Sequence, residues 1–146
     1  MKLNRYKGNP VLSPNPENEW ESLVTTNPGA WYNEATKEVY LLYRTAGEDP
    51  EHRTYFGLAI SNNGYDFKRV SDKPVFSPSI DGFDAGCVED PRIVKMGDYF
   101  FITYACRPFP PGQYWLYEKR EYKSPNFPFD FPSILQNNHT STGLAI

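Results

Sequence analysis

VYLLYRTA, residues 39–46, returns as FFITYACR, residues 100–107. The two stretches share an order of apolar, aromatic and small residues, and Tyr43 and Tyr104 fall about 61 residues apart. Each is short, aromatic and bounded by turn residues, which reads as a buried strand. A second pair behaves alike: FGLAI (residues 56–60) returns as TGLAI (residues 142–146), about 86 residues later. The second copy therefore carries about 25 extra residues. They fall at 107–132, RPFPPGQYWLYEKREYKSPNFPFDFP, a run crowded with prolines and aromatics.

The rest of the chain fills in the repeat. Glu38–Thr45 and Thr54–Ser61 read as strands, Asp66–Val70 as a half-exposed one, and Arg92–Lys95 and Tyr99–Ala105 as two more. Gly143–Ile146 begins another, and the nearest thing to a helix is a short turn at Asn18–Leu23. Asn63-Gly64 lies between two strands, the strongest short hairpin signal. Asn33–Lys37 and Met96–Asp98 also read as hairpin turns. Four short antiparallel strands per copy, repeated near every 60 residues, is the pattern of propeller blades. The fold class expected is all-β: one blade over about 25–76 and a second over about 83–146, with the insertion inside it. The second copy stops at Ile146, before a strand matching DFKRV. Propeller blades bury their core only against neighbours. The chain is therefore expected to be the N-terminal part of a larger protein, or a truncated product.

Composition narrows the function classes. The 146 residues carry a net charge of −3, 16% aromatics, 14 prolines and 10 glycines. No Lys/Arg cluster forms a basic face, so a nucleic-acid partner is not expected. No apolar run approaches the ~18 residues of a membrane span, and MKLNRYKGNPVL lacks the apolar core of a signal peptide. The reading is a cytoplasmic chain without a membrane partner. Cys87 and Cys106 have no CxxC spacing and read as two buried thiols. His52 and His139 lack partners at metal-ligand spacing, so no metal site is expected.

The chemistry concentrates in GCVEDPRIV, residues 86–94. Pro91 cannot donate to a sheet ladder, so the position suits a strand end or a bulge. It also biases Asp90 toward extended geometry. In an extended segment Glu89 and Asp90 point to opposite faces. One then faces a ligand while the other is held by backbone donors or by arginine. Arg92 is placed to pair with Asp90, or with Glu89 if the chain bends. The alternative reading is a buried ion pair that locks the blade. Arg44 ends an otherwise apolar strand and needs an anionic or polar partner. Asn27-Pro28-Gly29 closes a Thr-rich run, and Arg53 follows the exposed loop GEDPEHR.

Asn9-Pro10-Val11-Leu12, Asn27-Pro28-Gly29-Ala30, Leu41-Leu42-Tyr43-Arg44, Gly57–Ser61, Asn63–Phe67 and Glu89-Asp90-Pro91-Arg92-Ile93 occur in this order. The series resembles glycoside hydrolase family 130, the β-mannoside phosphorylases and related β-mannosidases. The resemblance implies a five-bladed β-propeller with a central sugar site and inverting cleavage of a β-mannosidic bond. It implies that Asp90 is the proton donor, acting through a sugar hydroxyl, and that Asn27 and Arg44 help hold the mannosyl unit. Arg53 is a looser substrate-binding candidate, and Glu89 and Arg92 complete the set. The partner implied is a β-mannoside oligosaccharide. No cofactor is implied beyond inorganic phosphate as co-substrate. Phosphate needs a cationic cradle rather than a second carboxylate, and in this family that cradle lies in later blades.

Phosphorolysis is favoured over inverting hydrolysis. A rival from another class is a non-catalytic propeller that binds glycans through Phe109, Tyr114, Trp115 and Tyr117 of the insertion, which could also serve a homo-oligomer. A third is a propeller glycosidase for arabinose- or xylose-type sugars, which the EDPRI series fits less well.

Overall fold

The computed structural model describes residues 2–49, 51–108, 110 and 139–146. Among them the architecture is all-β: two antiparallel sheets, one short 3₁₀ turn at Glu19–Glu21 and no α-helix. The first sheet runs in chain order through β1 (Val24–Asn33), β2 (Glu38–Ala46), β3 (Thr54–Ser61) and β4 (Lys68–Arg69). The second does the same through β5 (Cys87–Met96), β6 (Tyr99–Arg107) and β7 (Ser141–Ala145). No helix among the described residues is long and apolar enough to cross a membrane.

The strongly aromatic strands lie where expected, and Thr54–Ser61 has the predicted bounds. Several segments differ: Arg92–Lys95 is only the later part of a strand that begins at Cys87, and the last strand runs Ser141–Ala145. Asp66–Val70 forms a strand over Lys68 and Arg69 only, with one further backbone bond from Val70 N–H to the Leu58 carbonyl at 2.9 Å. Asn27-Pro28-Gly29 does not close a run but sits inside a ten-residue strand, because β1 absorbs the proline at a bulge between Thr26 and Gly29. The insertion at 107–132, with the expected glycan contacts Phe109, Tyr114, Trp115 and Tyr117, lies outside the described residues except for Arg107, Pro108 and Pro110.

The repeat survives in three dimensions as a shared device. Tyr43 pairs with Gly57 across β2 and β3, and Tyr104 pairs with Gly143 across β6 and β7. A Cβ on Gly57 would lie 2.2 Å from the Tyr43 ring, and one on Gly143 would lie 2.3 Å from the Tyr104 ring. Each ring lies across its glycine and sends its hydroxyl to an acid that precedes the sheet's first strand. Tyr43 donates to Glu21 at 2.9 Å and Tyr104 to Asp84 at 2.8 Å. Burial and these acids push both phenols up. In the first sheet Glu21 is fully buried and also accepts from Arg69 Nε at 2.8 Å, which ties β4 to the 3₁₀ turn.

The sheets meet face to face, with β5 against β1, β2 and β3. Leu42, Phe56, Val88, Tyr104 and Cys106 form the core between them. Phe56 stacks on Phe76 at 5.6 Å between centroids, and Phe76 meets Tyr104 edge-on at 5.2 Å. Elsewhere along the seam Trp31 of β1 meets Phe100 of β6 edge-on at 4.8 Å, with Lys95 Nζ over both rings. Cys87 and Cys106 are both free and buried in this structure.

Candidate functional site

β1 and β5 are equivalent strands, and each is interrupted at the same place. β1 slips register between Thr26 and Gly29, β5 between Glu89 and Arg92. In each the bulged residue precedes a proline and is left-handed: Asn27 at φ 43 and Asp90 at φ 52. Asn and Asp are the side chains that tolerate this region best after glycine. Proline supplies the residue that needs no ladder donor.

The two bulges stack. A Cβ on Gly29 would fall 2.7 Å from the Pro91 carbonyl oxygen, so only glycine lets β1 approach β5 this closely. The approach brings Asn27 to Asp90, whose Oδ1 accepts from Asn27 Nδ2 at 2.8 Å. Thr26 Oγ1 lies 3.0 Å from Asn27 Oδ1 and donates to it. That bond turns the amide so that its NH₂ faces the carboxylate. Nothing in the sequence reading singled out Thr26. Its signal is a hydroxyl directly before an Asn-Pro bulge.

Arg44 reaches the same place from β2. Nη1 donates to Asp90 Oδ1 at 3.0 Å and Nη2 to Glu89 Oε1 at 2.8 Å. The unpaired cation at the end of an apolar strand thus finds two anions. The expected extended geometry does not hold. With Asp90 left-handed, Glu89 and Asp90 turn toward one guanidinium instead of opposite faces. The expected Arg92 pairing does not form either. Arg92 is exposed and donates from Nη1 to the carbonyls of Asp90 (3.2 Å) and Pro91 (2.9 Å). It caps the bulge's freed backbone acceptors and leaves Glu89 to Arg44.

Glu89 is buried, and its Oε1 also lies 3.6 Å from the Cys87 thiol. Burial and the Glu89 charge push that thiol up to about 12. Arg53 stands apart from the cluster. It pairs with Glu51 and donates to the Ala85 carbonyl, fastening the loop after β2 to the segment before β5. So the structure gathers Asn27, Arg44, Glu89, Asp90 and the backbone-bound Arg92, and leaves Arg53 outside.

Asp90 is the accessible acid of the group, with a side chain 39% exposed against 11% for Glu89. Among the described residues both of its side-chain hydrogen bonds fall on Oδ1 and none on Oδ2. Burial pushes the Asp90 carboxyl up, but the bonds from Asn27 and Arg44 and the charges of Arg44 and Arg92 outweigh it. The net is a carboxyl held below its ordinary 3.8. Such a group is ionised at neutral pH, accepts a proton readily only at low pH, and is a strong donor once loaded. Among the described residues no cluster of three His, Cys, Asp or Glu is placed to hold a metal.

A family model described as "beta-1,4-mannooligosaccharide phosphorylase" matches residues 2–114. The chain is 37% identical over 110 residues to a 1,2-beta-oligomannan phosphorylase of Thermoanaerobacter sp. (strain X514), covering 71% of this chain and 36% of the relative. It is 36% identical over 115 residues to a beta-1,2-mannobiose phosphorylase of the same organism, covering 71% of this chain and 37% of the relative. Among solved structures, a glycosyl hydrolase from Bacteroides ovatus superposes with TM-score 0.60 at 28% identity, over 70% of this chain and 33% of that one. Another, at TM-score 0.59 and 28% identity over 73% of this chain and 34% of that one, is described as a GH130 glycoside hydrolase that targets beta-1,2 mannosidic linkages in Candida mannan. The chain spans about a third of the length of these proteins.

Proposed function

The chain belongs to glycoside hydrolase family 130, and from that premise we propose that it carries the proton-transfer site of a β-mannoside phosphorylase. The whole enzyme, in this reading, is a five-bladed propeller. It cleaves a β-mannosidic bond with inversion and forms α-mannose 1-phosphate. The observation that carries the reading is the Asp90 carboxylate, fixed through Oδ1 by Asn27 and Arg44, with no bond on Oδ2 among the described residues.

The chemistry follows from that geometry. In phosphorolysis the glycosidic C1–O bond breaks while a phosphate oxygen bonds C1 from the opposite face. The leaving oxygen must take up a proton. Asp90, first loaded with one from solvent, gives it from Oδ2 to a sugar hydroxyl that lies between them, and that hydroxyl passes its own proton to the leaving oxygen. In the reverse direction the ionised Asp90 accepts the proton of the attacking hydroxyl. The lowered carboxyl favours that base role at neutral pH. Asn27 and Arg44 bear on the mannosyl unit beside Asp90, Arg92 stands at the rim, and Arg53 contributes indirectly by fixing its loop.

The names of both phosphorylase relatives specify β-1,2 linkages, which makes β-1,2-mannobiose the first substrate to test. The solved glycoside hydrolase of the same family keeps hydrolysis as the second reading. Incubating the full-length protein with β-1,2- and β-1,4-mannobiose, with and without phosphate, separates the two. Mannose 1-phosphate formed only with phosphate supports phosphorolysis. Free mannose without phosphate means hydrolysis. Tight glycan binding without turnover, unchanged in Asp90→Asn, would overturn both in favour of a binding module.

A further inference from the structure

We propose that Glu89 is a positioning residue that keeps Arg44 from capturing both oxygens of Asp90. The inference rests on the reading of Asp90 given above. It starts from a hazard built into the site. A guanidinium beside an accessible carboxylate forms two parallel bonds where it can, one to each oxygen. An Asp90 gripped in that way would have a cation on each oxygen, and a proton or a sugar hydroxyl would have to compete with it.

The bulge at Asp90 prevents this by offering Arg44 a second anion. Nη2 goes to Glu89 Oε1 at 2.8 Å, and Nη1 alone reaches Asp90, on Oδ1 at 3.0 Å. The guanidinium is planar and rigid, so holding one amino group fixes the other. Glu89 is suited to hold. It is buried, its neighbour in the same strand is the Cys87 thiol at 3.6 Å from Oε1, and it shares no bond with Asn27 or Arg92. Its burial also leaves it poorly placed to touch a sugar. The groups facing the Asp90 carboxylate are Asn27 from β1, Arg44 from β2 and the Arg92 charge from β5. Arg92 has a like guanidinium, but its Nη1 is already bonded to the Asp90 and Pro91 carbonyls, so Arg44, the one whose guanidinium bonds the carboxylate itself, needs restraint.

Steady-state kinetics on the full-length enzyme test this, in both directions of the reaction. Glu89→Ala is expected to lower kcat by about 100-fold, the scale of a lost proton-transfer group, with KM for the mannoside changed by less than about threefold. In the synthetic direction its acid limb moves to lower pH, since a bidentate arginine holds Asp90 ionised more firmly. Glu89→Gln keeps an acceptor for Nη2 and is expected to stay within about fivefold of wild type. Adding Arg44→Lys to Glu89→Ala is expected to recover about tenfold over Glu89→Ala alone, because one ammonium cannot bridge both oxygens.

A raised KM with kcat unchanged would mean that Glu89 binds substrate and would overturn the proposal. So would wild-type kinetics in Glu89→Ala, or a Glu89→Gln variant as poor as Glu89→Ala. Glu89→Leu, which fills similar volume without an acceptor, decides by the same ratios if Glu89→Ala does not fold. Failure of both to fold would mark Glu89 as a stabilising residue only and overturn the proposal. Asp90→Asn is run alongside. Turnover retained there refutes the reading of Asp90 itself, whereas a dead Asp90→Asn with active Glu89→Ala refutes only the role of Glu89.

Discussion

Asp90 draws its properties from a backbone conformation that few side chains accept. In the full-length enzyme Asp90→Asn is expected to cost about 10²–10⁴-fold in kcat, while Asn keeps the left-handed φ and the Oδ1 acceptor, so the melting temperature at pH 7 stays close to wild type. The lowered carboxyl also has a pH signature. A folded value below the unfolded 3.8 means that the unfolded chain binds the proton more readily. Asp90 thus adds stability above about pH 4, and that contribution is lost as pH falls through its lowered value. The side chain is 39% exposed, so solvent screens the effect and it is small. Thermal melts of wild type and Asp90→Asn from pH 7 to pH 3 should therefore converge toward the acid end. A gap that widens there would contradict the assignment. The residue types at the site were legible in the sequence: an acid before proline and a lone arginine on an apolar strand. That Arg44 would bind both acids was not. The sharing depends on a positive φ at Asp90, and the proline rule that argued for extended geometry says little about the left-handed region.

At the scale of elements, the tyrosine–glycine pairs and the buried acids do the holding. Gly57→Ala would drive a methyl into the Tyr43 ring, whose hydroxyl is tied to Glu21 and cannot easily move aside. Overpacking of this kind costs about 1–3 kcal/mol, and urea unfolding should show it as a lower midpoint. Glu21→Ala should cost more, about 3–5 kcal/mol, since it strands Arg69 and the Tyr43 hydroxyl in a site where Glu21 itself is fully buried. Equal stability in Glu21→Ala would show that β4 docks without that pair. The repeat that located these strands in the sequence came from their side-chain order. β1 escaped the same reading because Asn27-Pro28-Gly29 looks like punctuation, whereas the bulge makes it the middle of a strand. β4 was overextended because alternation in Asp66–Val70 reports exposure of one face, not the length of pairing.

At the scale of the molecule, the two sheets bury their thiols at the interface that also positions the site. Cys87 and Cys106 are buried, and both thiols are pushed up, Cys87 to about 12. The thiolate is the reactive form. Both should resist a disulfide reagent in native protein and react together on unfolding. Fast labelling of Cys87 at pH 7 would mean that β5 opens independently of the core. The two-sheet layout was readable from the repeat, but their stacking at the bulges was not, since it depends on Gly29 meeting the Pro91 carbonyl across 61 intervening positions of chain. The seam also has an optical property. Trp31 belongs to the first sheet, yet an ammonium and an aromatic ring from the second lie against its indole. Indole emission responds to charge at this range, so Trp31 fluorescence is a gauge of sheet separation, able to register the second sheet lifting off while the strands of each remain paired.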